Sequence, residues 1–194
     1  MIKDNSNRVV TLVLLGWLCF AVGLSGWLRN ATAPAVAVTV WALTALALFA
    51  CWKIYPIRVW ALTVDLRWLV LFHVTRLFAG AYFLVLCQGG QLPCGFARPA
   101  GWGDIVVAIL ALAVLGAMRT EFAKPLLLNW NTLGLIDIVF VVFSALRFGL
   151  QDWQSMHGLR ELPLSLLPTF LVPFIIASHV LIFVRLTRAR IDSQ

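Results

Sequence analysis

The sequence predicts an all-α integral membrane protein, a bundle of about six transmembrane helices with both termini in the cytoplasm. Of its 194 residues, 62% are hydrophobic and 12% are charged, whereas soluble domains are about 45–50% apolar and about 25% charged. The apolar residues also come in blocks of about 18 or more, the length that crosses roughly 30 Å of hydrocarbon. We therefore expect a single polytopic domain over residues 1–194, located in the inner (plasma) membrane of the cell.

Short segments rich in turn-forming residues separate the predicted spans, as in "KIYPIR" at 53–58. The stretch "CQGGQLPCGFARPAGWG" at 87–103 is predicted to be an ordered outer loop that covers the bundle. Every span should be a helix, because a segment exposed to lipid must satisfy its own backbone groups. The predicted spans are residues 9–28, 34–52, 59–86, 103–118, 133–150 and 166–186.

The basic residues predict the orientation of the chain, because Lys and Arg accumulate in cytoplasmic loops. An even number of spans also requires both termini on one side, which agrees with the charge distribution. The net charge of +7 is spread over segment ends and forms no patch, so the expected partner is the lipid bilayer and not nucleic acid. The predicted cytoplasmic set is Lys3, Arg8, Lys53, Arg58, Arg119, Lys124, Arg185, Arg188 and Arg190, against Arg29, Arg98, Arg147 and Arg160 outside.

Polar residues interrupt the third predicted span, in "DLRWLVLFHVTRLFAG" at 65–80. A helix advances about 100° per residue, so Asp65, His73 and Arg76 fall on one stripe roughly 80° wide. Each such side chain costs about 2.5–3.5 kcal/mol at mid-bilayer and needs a partner. Asp137 in the fifth span and His179 in the sixth are expected at similar depths. We therefore predict that these five residues converge on one polar cluster.

Such a cluster would either hold the helices together or form a functional site. In the site interpretation, Arg76 anchors an anion, Asp137 is the partner of a cation or a proton, and His73 and His179 change charge near neutral pH. The predicted function is then to bind or pass a small substrate, a lipid-like molecule or protons, as a transporter would. Whether the protein is an enzyme is left open.

The sequence also allows two further interpretations. His73 and His179 lie on different helices and would be the axial ligands of a haem b in a redox protein. The small size and the lack of a soluble domain instead favour a non-catalytic subunit of a larger membrane complex, with other membrane subunits as partners. Apart from the haem, no metal site is predicted.

The predicted outer loop adds two smaller expectations. Cys87 and Cys94 would face an oxidising space, where the alternatives are a disulfide and two free thiols. Asp104 is expected at the start of the fourth span, where a carboxylate caps exposed amides and complements the helix dipole. The other interpretation of Asp104 is the outer entrance of a polar path.

Overall fold

The computed structural model describes residues 2–191, and the side chains of residues 6–188. The side chains of Lys3 and Arg190, which contribute to the orientation prediction, lie outside that range. The described chain is all-helical and has no strand. The elements are α1 (Ile2–Leu28), α2 (Ala33–Lys53), α3 (Tyr55–Thr63), α4 (Leu66–Phe72), α5 (Thr75–Gln88), α6 (Cys94–Ala117), α7 (Ala123–Gln151) and α8 (Val172–Ile191), with a 3₁₀ turn at His157–Arg160 and a π-helical turn at Leu167–Leu171.

Six helical segments are long and apolar enough to cross a membrane, which confirms the predicted all-α class and the predicted number of long apolar helices. Their bounds differ from the predicted ones mainly in the third, fourth and fifth spans. The candidate spans are Ser6–Leu28, Ala33–Lys53, Leu66–Gln88, Cys94–Ala117, Ala123–Gln151 and Leu167–Arg188.

The third span is interrupted, whereas the sequence predicted one helix over residues 59–86. The first interruption precedes α4, where Asp65 is the N-cap and its Oδ1 accepts a hydrogen bond from the Arg67 amide at 2.9 Å. The second lies at His73 and Val74, between α4 and α5. Because a capping residue lies at the helix end and Asp65 is exposed, the prediction that Asp65 shares the buried polar face is wrong.

Helices α5 and α6 form a tight hairpin in place of the predicted outer loop. Helix α6 begins at Cys94 and not at Gly103, and a disulfide joins Cys94 to Cys87 near the end of α5. Further along, the two helices cross so closely that a Cβ added to Gly101 would lie 2.8 Å from the Gly80 carbonyl oxygen. Glycines are needed there because any side chain would separate the backbones. The earlier helix start also moves Asp104 from the expected cap position into the helix interior.

The fifth span likewise begins earlier than predicted, at Ala123 instead of Leu133. The added turns bring Trp130 and Asn131 into the helix, where both are buried. The sixth span begins with the π-helical turn at Leu167–Leu171, which contains Pro168. Pro168 has no amide hydrogen to donate, which is one recognised cause of local irregularity in a helix.

The loops at one end of the bundle contact one another. Trp153 donates its Nε1 hydrogen to the Ala31 carbonyl at 2.7 Å, and Arg160 donates to the Arg29 carbonyl at 3.3 Å. At the opposite end, the guanidinium of Arg185 donates to the Val64 carbonyl. The contacts agree with alternating up-and-down spans, which separate the loops into two groups.

Candidate functional site

Arg76 is the centre of a buried group of polar residues. Its side chain is fully buried, and its Nε donates to Asp104 Oδ1 at 2.6 Å. One terminal nitrogen donates to Asp137 Oδ2, and the other donates to the Gly134 carbonyl at 3.1 Å. The three partners come from α6 and α7, while Arg76 belongs to α5. We call Arg76, Asp104 and Asp137 the ion triad.

The ion triad contains two carboxylates and one guanidinium, so it carries one net negative charge when both carboxylates are ionised. Asp104 is 5% exposed at its side chain and Asp137 is 16% exposed. Asp137 is therefore the member with the better access from outside the core. The space for its carboxylate depends on Gly103, because a Cβ at that position would overlap Asp137 Oδ1.

The second part of the site is a pair of buried imidazoles. The ring centroids of His73 and His179 are 4.1 Å apart, and neither residue is exposed. The indole of Trp130 meets His73 edge-on at 5.0 Å and donates its own Nε1 hydrogen to the Val107 carbonyl at 3.0 Å. We call His73 and His179 the histidine pair. Because α4 ends at Phe72, His73 sits at the break before α5.

Hydrogen bonds around His179 assign its tautomer. Asn131 donates its side-chain amide hydrogen to the His179 backbone carbonyl at 3.0 Å, which leaves Asn131 Oδ1 as an acceptor. The 2.8 Å contact between that oxygen and His179 Nδ1 therefore requires a proton on Nδ1. In the neutral ring, Nε2 then carries a lone pair, and this buried nitrogen has no hydrogen-bond partner among the residues that the structure describes.

The same reasoning applies to His73. The Ser178 hydroxyl lies 2.8 Å from the Ile175 carbonyl and 3.0 Å from His73 Nε2. A hydroxyl has one hydrogen, and the carbonyl can only accept it, so the consistent arrangement has Ser178 donating to Ile175 and accepting from His73. His73 Nδ1 is then left with a lone pair and has no hydrogen-bond partner in the described part of the chain.

Gly134 connects the ion triad to the histidine pair. Its carbonyl accepts from Arg76, and a Cβ at this position would lie 2.6 Å from His179 Cε1. A larger residue at this position would collide with the imidazole. Glycine therefore allows His179 to pack against the same turn of α7 whose carbonyl binds Arg76. We call the ion triad, the histidine pair, Asn131 and Ser178 together the polar cluster.

The structure thus brings together His73, Arg76, Asp137 and His179, and it leaves Asp65 outside. Asp104, Asn131 and Ser178 belong to the cluster but were not predicted as members. Two of the three had a signal in the sequence: Asp104 lies on a stripe of small and apolar residues with helical spacing, and Asn131 lies one turn before Gly134. Ser178 adjoins His179 and has no distinguishing pattern.

The histidine pair does not fit a haem in this arrangement. Two histidines that ligate one haem iron lie on opposite faces of the porphyrin. The centres of their imidazole rings are therefore farther apart than the two nitrogens that bind the iron. The observed 4.1 Å between the centroids leaves no room for a porphyrin plane. Among the residues that the structure describes, no group of three or more His, Cys, Asp or Glu side chains could hold a metal ion.

Comparison with known proteins gives a family and no activity. No curated protein and no solved structure matches the chain. One family model, described as a domain of unknown function (DUF8737), matches residues 33–187. The matched range runs from the start of α2 into α8 and contains every member of the polar cluster. The chain therefore belongs to the DUF8737 family.

Proposed function

We propose that this chain is a multi-pass protein of the inner membrane, with both termini cytoplasmic, that binds and releases protons at the polar cluster. The observation that carries the proposal is an excess of proton acceptors over cations. Within the described residues, the cluster has one guanidinium for two carboxylates, and each imidazole has a buried nitrogen without a partner. Such an arrangement has room for added protons and none for an additional anion.

The surroundings of the cluster support this choice. Buried ionisable groups within a membrane are costly and commonly mark ion paths, proton relays and binding sites. A purely structural ion pair needs one acid for one base, and here Asp104 and Asp137 share Arg76. A proton taken up by either carboxylate removes the net negative charge of the ion triad. Proton binding is therefore a direct way for this group to reach neutrality in an apolar core.

The chemistry of each side chain determines its proposed role in the polar cluster. Arg76 keeps its charge and holds both carboxylates in place, because its guanidinium does not lose its proton in proteins. Asp104, Asp137 and the histidine pair are the groups that change protonation state. Asp137 is expected to be the residue through which the polar cluster exchanges protons with its surroundings, since it is the more exposed carboxylate. A proton-coupled transporter would use such a site.

Infrared difference spectroscopy across about pH 5 to 8 tests the proposal on the purified protein. We expect a band of a protonated carboxyl group that grows as the pH falls. The band should be lost or shifted in Asp104→Asn or Asp137→Asn. Glu161→Gln is the matched control, because Glu161 is exposed in a loop and its removal should leave the band unchanged. A spectrum without this band, or a band that persists in both Asp variants, would overturn the proposal.

A further inference from the structure

We propose that a cavity beside the polar cluster binds a lipid-like alcohol, with its hydrocarbon chain in the cavity and its hydroxyl group on Ser178. The cavity has a volume of about 310 Å³ and lies between α1, α2, α3, α4 and the last span. For comparison, an apolar cavity of roughly 150 Å³ holds benzene. The space is therefore sufficient for a chain of several methylene groups.

The lining determines the class of ligand. The described lining is made of aliphatic and aromatic side chains with Cys51 and Ser178, and none of these residues is charged. A charged or strongly polar molecule would lose its hydration there without gaining partners. An apolar chain with one small polar group matches this lining, because the chain can contact the apolar side chains and the polar group can contact Ser178.

The position of the opening identifies the source of the ligand. Val13 and Trp68 line the cavity and are 41% and 66% exposed, so they stand at its rim on the outer surface of the bundle. Each belongs to a candidate membrane span. In the proposed membrane orientation this rim meets hydrocarbon, so the ligand enters sideways from the bilayer.

Ser178 specifies the polar end of the ligand. Its hydroxyl donates to the Ile175 carbonyl and accepts from His73 Nε2. A hydroxyl oxygen has two lone pairs, so one acceptor position remains. A ligand that donates a hydrogen bond, such as an alcohol, can use this position, whereas an ester or a ketone cannot. Binding would thus place the ligand's hydroxyl two hydrogen bonds away from His73, with the Ser178 hydroxyl between them.

A photoactivatable fatty alcohol with a diazirine on its chain tests the site in protein held in lipid nanodiscs. We expect labelling of lining residues on α2 and the last span, located by mass spectrometry. Dodecanol should compete about fivefold better than dodecane, the usual effect of one net hydrogen bond. Labelling spread evenly over the outer surface, or equal competition by the two compounds, would overturn the proposal.

Two variants, each with a matched control, make the test specific. Ala50→Phe places a ring in the cavity and should abolish labelling, whereas Ala42→Phe adds the same ring to α2 at an exposed position that does not line it. Ser178→Ala should remove the preference for dodecanol, and Ser178→Thr, which keeps a hydroxyl, should retain it. Labelling that survives Ala50→Phe would count against the site. The readout does not depend on protons, so it remains decisive whatever the infrared experiment shows.

Discussion

At the scale of single residues, the ion triad differs from an ordinary buried salt bridge in its stoichiometry. Arg76 reaches two acids and a carbonyl, so each of its nitrogens has an acceptor in the core. Removing different members consequently leaves different charges behind. Losing one acid leaves a balanced pair, whereas losing the base leaves two carboxylates with no cation between them.

The first prediction concerns this asymmetry. Arg76→Met should destabilise the protein by about 3–5 kcal/mol, the usual cost of an uncompensated buried charge. Asp104→Asn alone should cost clearly less, because Arg76 keeps Asp137. The double variant Asp104→Asn with Asp137→Asn should be destabilised nearly as much as Arg76→Met, because the guanidinium is then unpaired. Thermal unfolding in detergent measures the order of stability of these variants. Equal losses of stability for Arg76→Met and Asp104→Asn would contradict the proposed charge balance of the ion triad.

The second prediction concerns the tautomers of the histidine pair. In the neutral protein, His73 should carry its proton on Nε2 and His179 should carry its proton on Nδ1, because Ser178 and Asn131 act as acceptors. ¹⁵N NMR of histidine-labelled protein distinguishes the two nitrogens of each ring. Asn131→Leu should remove the preference of His179 for the Nδ1-protonated tautomer and leave the tautomer of His73 unchanged. Two rings with the same tautomer would show that the hydrogen-bond assignment is wrong.

At the scale of elements, the close crossing of α5 and α6 brings Arg76 and Asp104 within reach of each other. The crossing depends on Gly80 and Gly101, whose backbones approach where side chains would separate them. Arg76 lies one turn before Gly80, and Asp104 lies three residues after Gly101. A small separation of the two helices would therefore stretch the 2.6 Å contact between Arg76 Nε and Asp104 Oδ1.

The third prediction follows from that dependence. Gly101→Ala should destabilise the protein by about 1–3 kcal/mol, the common cost of overpacking. Gly116→Ala on the same helix is the matched control, because a Cβ there meets no described atom within 4 Å. The control should be neutral or stabilising by up to about 1 kcal/mol, since Ala is the better helix former. Comparable unfolding temperatures for the two variants would argue against the tight crossing.

The elements also show which features can be predicted from a sequence like this one. The number of long apolar helices follows from length and hydrophobicity, and the similar depth of Asp137 and His179 follows from counting turns. The start of α6 was missed because Gly and Pro between Cys94 and Gly103 are typical of turns. In the folded chain, those small residues let two helices pack closely, and Pro99 is accommodated inside α6. Local propensity does not reveal such tertiary packing.

At the scale of the whole molecule, the two ends of the bundle differ in charge. The loop end marked by the Trp153–Ala31 contact carries Arg29 and Arg160, and the opposite end carries most of the remaining described basic residues. In the proposed orientation the more basic end faces the cytoplasm. The described basic residues predicted at that end are Arg8, Lys53, Arg58, Arg119, Lys124, Arg185 and Arg188.

The fourth prediction tests this orientation in intact cells. In a background without Cys19 and Cys51, a membrane-impermeant maleimide should label Gln91→Cys, which lies in the α5–α6 turn. It should not label Glu121→Cys, in the turn between α6 and α7, until the membrane is permeabilised. Both positions are exposed in the structure, so access to the reagent depends on the side of the membrane. The reverse pattern would invert the proposed topology.

The order of the triad along the chain has a consequence for biosynthesis. In the proposed membrane topology, Arg76 emerges from the ribosome before either acid, and a lone arginine is costly in hydrocarbon. The turn between α5 and α6 is short, so Asp104 follows on the next segment and can neutralise Arg76 before α7 is made. Helices α5 and α6 should therefore enter the membrane together as a hairpin, leaving Asp137 to complete the charge arrangement when the fifth span arrives.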